Sequence, residues 1–481
     1  MRRGRRPGFV LGVASALCLV TSFAGAAMAS TSGGVVKGAP QPELKPFKLG
    51  NLNANSPGSI AMEPDGSLVA VYDIQSGAGK TVVCVLDRGK SACADKPLLT
   101  PLDGDSTFNT PEVFIPSANH VYVLQDTCCD SSTSGDNLLY ASTDGGKTFG
   151  APVRVGGGVS VDAAALAGND AVFTEGDSGA LNIQSVSLTS PGPPASTATP
   201  ITGDVFAVGV GDYRNGVLVG GDFTGATFDT AKVVYASADS DFNSTGSYRT
   251  VGKFPKETFL AMSGAAVLTE QENSKDTVVL RLFNGAGFSA ARTVPGAAGG
   301  GPEAFAVEQD PSGAVHVFSD RGLASPSYDL IEESTSNGGK TWTRTDLGNG
   351  ISDNSFSAAL DSHGTGLVLG TGVPLAYPVL AAQGVSLSLS RSSIRKGQKI
   401  TASGRVSPHD SGRSVQLQVE VGKNTWRNVT GAKATTKSGG SFSIKVKGKS
   451  AGSFTYRVVA SDLAGYLQFG YSDGRTLHVT S

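Results

Sequence analysis

Residues 140–155 read YASTDGGKTFGAPVRV, and residues 332–347 read EESTSNGGKTWTRTDL. The two stretches share Gly-Gly-Lys-Thr followed by an aromatic residue, with a hydroxyl residue (Ser142, Thr335) and then Asp144 or Asn337 just ahead. That combination suits a tight hairpin. An Asp or Asn side chain folds back onto turn N–H groups, glycine permits positive φ, and the aromatic is buried between strands. The motif is read as structural, and its recurrence points to an internal repeat.

Outward from the motif one unit recurs: a short strand ending in a small residue, a loop, an apolar strand, a Gly- or Asn-bearing turn, and a second apolar strand. It runs through residues 47–73, 153–177, 249–272, 292–320 and 345–370, and residues 111–126 and 204–222 add its inner part. The inner strand therefore occurs seven times, its starts about 49 residues apart between Ile60 and Phe356. That is the length of a four-stranded propeller blade. The seventh blade lacks an outer strand, while Pro46 to Gly50, PFKLG, is an outer strand with no blade ahead of it. The expected closure lets residues 46–50 complete the last blade and leaves no large open edge. The fold class is all-β: a propeller of seven blades, with six as the alternative, followed by a sandwich.

The opening motif resembles the Asp-box of sialidase-like propellers, Ser/Thr-x-Asp-x-Gly-x-Thr-Trp/Phe. It is matched at Ser142, Asp144, Gly146, Thr148 and Phe149, and again at Thr335, Asn337, Gly339, Thr341 and Trp342, where Asn replaces Asp. Tyr235 to Gly246 is a degraded copy. The resemblance implies a propeller with these boxes on the face opposite ligand binding. It also suggests exo-sialidase activity, which needs three arginines, a Tyr–Glu nucleophile pair, an Asp acid and an early Arg-Ile-Pro. The nearest string here is Val113 to Pro116, VFIP, with Phe114 where Arg is required. Arg154, Arg249, Arg292 and Arg344 fall on fourth strands, Arg88 and Arg214 in far-face turns, and Arg281 on a third strand. Only Arg321 is placed on the binding face, so sialidase activity is not expected.

Carboxylates occupy that face instead. Glu112, Asp162, Asp204, Glu257 and Glu303 precede the inner strands of five successive blades, with Asn354 in the seventh and Gly58 in the first. Asp73, Asp126, Asp177, Asp222, Glu272 and Asp320 follow the second strands. One reading makes the inner acids caps for backbone N–H groups of the next blade. The other is an anionic funnel that concentrates cations or basic ligands and could hold Ca²⁺ through oxygen ligands. The string Asp239 to Gly246, DSDFNSTG, resembles the start of a calcium loop but lacks the later Glu. No confident metal site follows. A carboxylate-pair glycosidase needs only two acids at suitable separation and stays open. His120, His316 and His363 are scattered, and there is no His-Glu-x-x-His, Gly-x-Ser-x-Gly or phosphate loop.

Arg2, Arg3, Arg5 and Arg6 precede an apolar run from Phe9 to Val20, with Ala27 and Ala29 before Ser30. This is the layout of a secretory signal peptide over residues 1–29, and a secreted protein is expected. No later run is long enough for a transmembrane helix. Cys84 and Cys93 flank VLDRGKSA, and a two-residue turn at Arg88-Gly89 would set them opposite each other for a disulfide. Cys128 and Cys129 are left for a vicinal disulfide or pairing elsewhere.

Charge divides unevenly. Residues 30–383, the propeller, hold 20 Lys+Arg against 37 Asp+Glu, whereas residues 384–481 hold 15 against 4. The second region has seven alternating strands and resembles a bacterial immunoglobulin-like sandwich. Lys433, Lys437, Lys445, Lys447 and Lys449 are placed on one hairpin; such a module suits adhesion to an anionic cell-wall polymer or glycan. The whole reads as an exported binding or adhesion protein for a glycan, cation or basic ligand. The alternative is a secreted glycoside hydrolase of carboxylate-pair or sialidase type. No nucleic-acid partner is expected, and oligomeric state is left open.

Overall fold

The computed structural model describes residues 14–15, 47–49, 58–74, 80–87, 90–100, 111–127, 136–157, 161–177, 180–191, 197–202, 204–224, 230–238, 242, 247–272, 277–297, 305–321, 328–351, 356–361, 364–370, 375–379, 384–407, 412–422, 425–460 and 470–481. The chain is all-β, its only helical elements being the short 3-10 turns Pro295–Ala297 and Ser438–Gly440 among the described residues. None of these residues forms a helix long and apolar enough to cross a membrane. The chain divides into two compact units, the first ending at Val379 and the main part of the second beginning at Leu380.

The first unit is of propeller type. Its sheets are mostly antiparallel and four-stranded, a single parallel pairing of Thr230 with Glu257 joining two successive sets of strands into one eight-stranded sheet; the second sheet comprises Glu112–Ser117, His120–Thr127, Asp136–Ser142 and Val153–Gly157 in sequence order. The innermost strands are Ser59–Met62, Glu112–Ser117, Val161–Ala167, Asp204–Tyr213, Glu257–Ser263, Phe305–Gln309 and Phe356–Leu360. Each lies against the next, and Phe356–Leu360 lies against Ser59–Met62, so the order is cyclic. Phe47–Lys48 forms the outer strand of the last sheet, Phe47 opposite Ala376 of Leu375–Val379. Ala14–Ser15 runs parallel to Ala163–Ala164 of the third sheet.

Apolar side chains are buried between successive sheets. Val69, Val71 and Val83 of the first sheet share one cluster with Val113, Val121 and Val123 of the second. Equivalent clusters join the second sheet to the third and the third to the fourth. Sheets covered on both faces call for nearly continuous apolar strands, which is why Leu68–Tyr72 and Val82–Leu86 are buried without alternation. Where a large ring crosses, the neighbour must be glycine. A Cβ on Gly209 would lie 2.7 Å from Phe259, and one on Gly220 would lie 2.6 Å from it.

Cys84 and Cys93 are joined, with Cα atoms 5.3 Å apart. The hairpin register expected for them does not hold. Thr81 pairs with Leu99, Val82 with Leu98 and Val85 with Asp95, so Cys93 lies beyond the ladder and returns to Cys84 from an irregular segment. Arg88 and Gly89 lie outside the described residues.

The second unit has two sheets. One pairs Lys399–Ser407 with Ser441–Lys447 on one side and with Gly384–Val385 and Ser388–Leu389 on the other. The other has the order Ser393–Arg395, Arg475–Thr480, Gly452–Ala460, Ser414–Gly422 and Thr425–Thr435. Ile400, Ala402, Phe442 and Ile444 of the first sheet share a core with Leu417, Val458 and Leu477 of the second. Lys433 and Lys445 are therefore not on one hairpin: Lys433 is on Thr425–Thr435, and Lys445 is on Ser441–Lys447 in the other sheet. The chain crosses between sheets at Thr436–Gly440, a switch that strand alternation alone does not encode.

Candidate functional site

Antiparallel order brings the start of each innermost strand and the end of the second strand to the same end of a sheet. Glu112 and Glu257 begin innermost strands, while Asp73, Asp126, Asp222 and Asp320 close second strands; all six are buried. Asp73 accepts the Thr81 hydroxyl at 2.5 Å and Gln125 Nε2 at 3.5 Å, which links the first sheet to the second. Thr81 also contacts Gln125 Oε1. Glu257 holds both Arg281 nitrogens, at 2.6 and 2.8 Å, and accepts Thr269 and Gln271 as well. Burial alone would raise the Glu257 carboxyl, but these bonds, those from Arg281 foremost, outweigh it and hold the group below its ordinary value.

Asp222 accepts the backbone N–H of Phe259, on the next innermost strand Glu257–Ser263, at 2.7 Å. Burial, partly offset by that hydrogen bond and reinforced by the charge of Glu272, pushes its carboxyl up to about 7. Ser59 Oγ takes the N–H of Val113 in the same way, at 2.8 Å. The next innermost strand is thus capped from the end of a second strand at Asp222 and from the start of an innermost strand at Ser59, whereas the inner acid Glu257 is engaged by Thr269, Gln271 and Arg281 of the two strands that follow it. The first blade departs from the acidic pattern because a Cβ on Gly58 would fall 2.1 Å from the Val71 carbonyl oxygen.

Asp162, Asp204, Asp177 and Arg321 lie on strands at this end, with side chains outside the described residues. Glu303, Asn354, Cys128 and Cys129 also lie outside them, as does the calcium-like string except Phe242. Arg154, Arg249, Arg292 and Arg344 are on outermost strands. Among the described residues no group of three or more His, Cys, Asp or Glu is arranged to hold a metal ion.

The paired turns of the opening motif occupy the opposite end. Ser142 Oγ accepts Gly146 N–H at 2.9 Å and donates to Asp144 at 2.8 Å; Asp144 accepts the N–H groups of Lys147 and Thr148 and the Thr148 hydroxyl. Those bonds, the Thr148 hydroxyl first, lower the Asp144 carboxyl to about 2. The second copy repeats the set: Thr335 accepts Gly339 N–H at 2.9 Å, and Asn337 accepts those of Lys340 and Thr341. Gly145, Gly146, Gly338 and Gly339 all have φ between 68° and 81°. Phe149 and Trp342 pack against the clusters shared with the preceding sheets.

One buried group escaped the sequence reading. His316 Nδ1 is 2.7 Å from Glu332 Oε1, and Nε2 is 3.6 Å from Asp310 Oδ2. Burial disfavours the imidazolium, yet both carboxylates more than compensate and raise it to about 9. Asp310 meanwhile caps its own turn through Ser312 and Ala314. The signal was present in register: His316 and Glu332 lie on paired strands, one opposite Ser334 and the other opposite Phe318.

No protein-family model matches the chain, nor does any curated protein sequence. Among solved structures it is similar to an α-L-arabinanase of Penicillium chrysogenum complexed with arabinobiose, at 12% identity and TM-score 0.41, over 70% of this chain and 98% of that one. It is also similar to a Trypanosoma rangeli sialidase in complex with 2,3-difluoro-KDN, at 13% identity and TM-score 0.35, over 89% and 86%. An α-L-arabinofuranosidase of Fusarium graminearum aligns at 11% identity and TM-score 0.39, over 64% and 98%.

Proposed function

We propose that the chain is an exported, seven-bladed, sialidase-like propeller followed by an immunoglobulin-like module. In this reading it binds a glycan, cation or basic ligand at the acid-bearing end of the propeller and has no sialidase activity. The carrying observation is the state of Arg281. Among the described residues its side chain reaches an acid of the inner set, and both its terminal nitrogens are engaged by Glu257. A sialic acid carboxylate arriving at this end would meet acids, not three free guanidinium groups, and like charges repel. An array of glycans and polysaccharides, read for both binding and released product, tests the proposal. Sialic acid release from a simple glycoside by the unaltered protein overturns it.

A second reading, a carboxylate-pair hydrolase, is favoured by Asp222 alone. A carboxyl raised to about 7 beside the carboxylate of Glu272 is fit to donate a proton near neutrality. Asp222→Asn separates the cases. A hydrolase loses turnover with binding retained, a charge-based binder loses salt-sensitive affinity, and a purely structural cap shows only a lower melting temperature.

A further inference from the structure

The second unit carries a basic sheet face that is independent of the propeller site. Ser441–Lys447 alternates strictly: Phe442, Ile444 and Val446 enter the core, while Ser443, Lys445 and Lys447 are exposed. On the adjacent strand Lys399 and Arg405 are exposed, and Ile400, Ala402 and Val406 are buried. The register sets Lys399 directly opposite Lys447, Thr401 opposite Lys445 and Ser403 opposite Ser443. Directly opposed side chains lie roughly 5 Å apart at Cβ, and like charges so placed destabilise a sheet.

Edge protection explains part of this. Ser441–Lys447 is an edge strand, where lysine discourages pairing with other chains. Lys399 is on the central strand of its sheet, where no such need exists. None of the four carboxylates of residues 384–481, Asp410, Glu420, Asp462 and Asp473, is on either strand. The turn beside this end adds charge: Gly397 N–H donates to the Gly448 carbonyl at 2.8 Å, which brings the exposed Lys396 and Lys449 together.

We propose that this face binds an anionic polysaccharide, with Lys399, Lys445 and Lys447 meeting its carboxylate or sulfate groups and Ser403 and Ser443 supplying hydroxyl donors. Cations repeated along a flat face favour a ligand that repeats its anions, since each contact is weak and their linkage supplies the affinity. The strands carry no exposed aromatic ring, so they offer nothing on which nucleic-acid bases would stack.

The test uses the full mature chain with heparin and polygalacturonate as probes, dextran as the uncharged control, and single-stranded DNA as the competing polyanion. Heparin or polygalacturonate binds, dextran does not, and affinity falls steeply with added salt. Lys399→Gln with Lys447→Gln lowers that affinity by about tenfold and, by relieving the opposed charges, does not lower the melting temperature, while Arg427→Gln on the other sheet leaves the affinity within twofold. Absence of binding to either anionic glycan at low salt, equal loss in the Arg427 variant, or DNA binding as tight as glycan binding would each overturn the assignment.

Discussion

Thr148 donates its hydroxyl to Asp144 at 2.6 Å, whereas its counterpart Thr341 receives a hydrogen bond from Asn337 Nδ2 at 2.7 Å. One rotatable hydroxyl serves as donor to a carboxylate in the first turn and as acceptor from an amide in the second. The remaining bonds use the Oδ1 atom that Asp and Asn share. The protein thus contains, in its second copy, the outcome of replacing the acid in the first.

Asp144→Asn is accordingly expected to be nearly neutral. Asp144→Ala leaves the N–H groups of Lys147 and Thr148 without their side-chain acceptor and should cost about 1–2 kcal/mol, the usual effect of losing such a cap. The acid dependence has a definite sign. A carboxyl depressed to about 2 from 3.8 adds stability above pH 3.8 that is lost as pH falls through 2. Denaturant melts of the three proteins at pH 7 and pH 3 check both statements.

The bond from Arg281 to Glu257 gives a larger effect because both groups are buried, at 11% and 8% side-chain exposure. Arg281→Ala should destabilise by about 3–5 kcal/mol by stranding a buried carboxylate. Adding Glu257→Gln should restore part of that loss, since the uncompensated charge is then gone. A double variant no more stable than the single one would show that the loss comes from packing against Phe254, 4.4 Å below the guanidinium.

Repeats were the legible part of this sequence. The spacing of inner strands depends on chain length and turn chemistry, which are local, and Phe47–Lys48 could be paired with the last sheet because the sequence left one strand without a blade. Side-chain partnerships were less legible because they depend on register across turns. A two-residue turn at Arg88-Gly89 sets Cys93 opposite Cys84, but the ladder ends at Asp95. Lys433 and Lys445 alternate alike, and nothing in that alternation signals that the chain changes sheets between them. At the acid-bearing end, spacing locates the carboxylates but not their engagement: Glu257 is spaced equally well for a cap or a ligand group, and Arg281 reaches it from the third strand.

The disulfide offers a further check. Peptide mapping of the oxidised protein should recover Cys84 linked to Cys93. Closing a loop of this length stabilises by about 2–3 kcal/mol in the chain-entropy account, so Cys84→Ser with Cys93→Ser should lower stability by that order. The loss should be confined to conditions in which the unaltered protein is oxidised; with reductant the two proteins should melt alike.

His316 provides the pH-dependent prediction. Its ordinary value is 6.5, and Glu332 and Asp310 raise it to about 9 in the folded protein. A group whose folded value lies above its unfolded value contributes stability that is complete below the unfolded value and disappears as pH rises through the folded one. Between pH 6.5 and 9 the protein should therefore lose stability, on the order of 3 kcal/mol for a shift of this size. The loss reflects deprotonation of an imidazolium whose two carboxylate neighbours stay charged. His316→Gln should be less stable than the unaltered protein at pH 6, because Glu332 keeps a hydrogen-bonding neighbour but loses its counter-charge. The same variant should lose much less stability from pH 6.5 to 9, keeping only the smaller loss that Asp222 contributes as it ionises near 7. Glu332→Gln should fall between them, with the His316 resonance titrating at lower pH by NMR. Equal slopes for the unaltered protein and His316→Gln across that interval would show that the alkaline loss originates elsewhere.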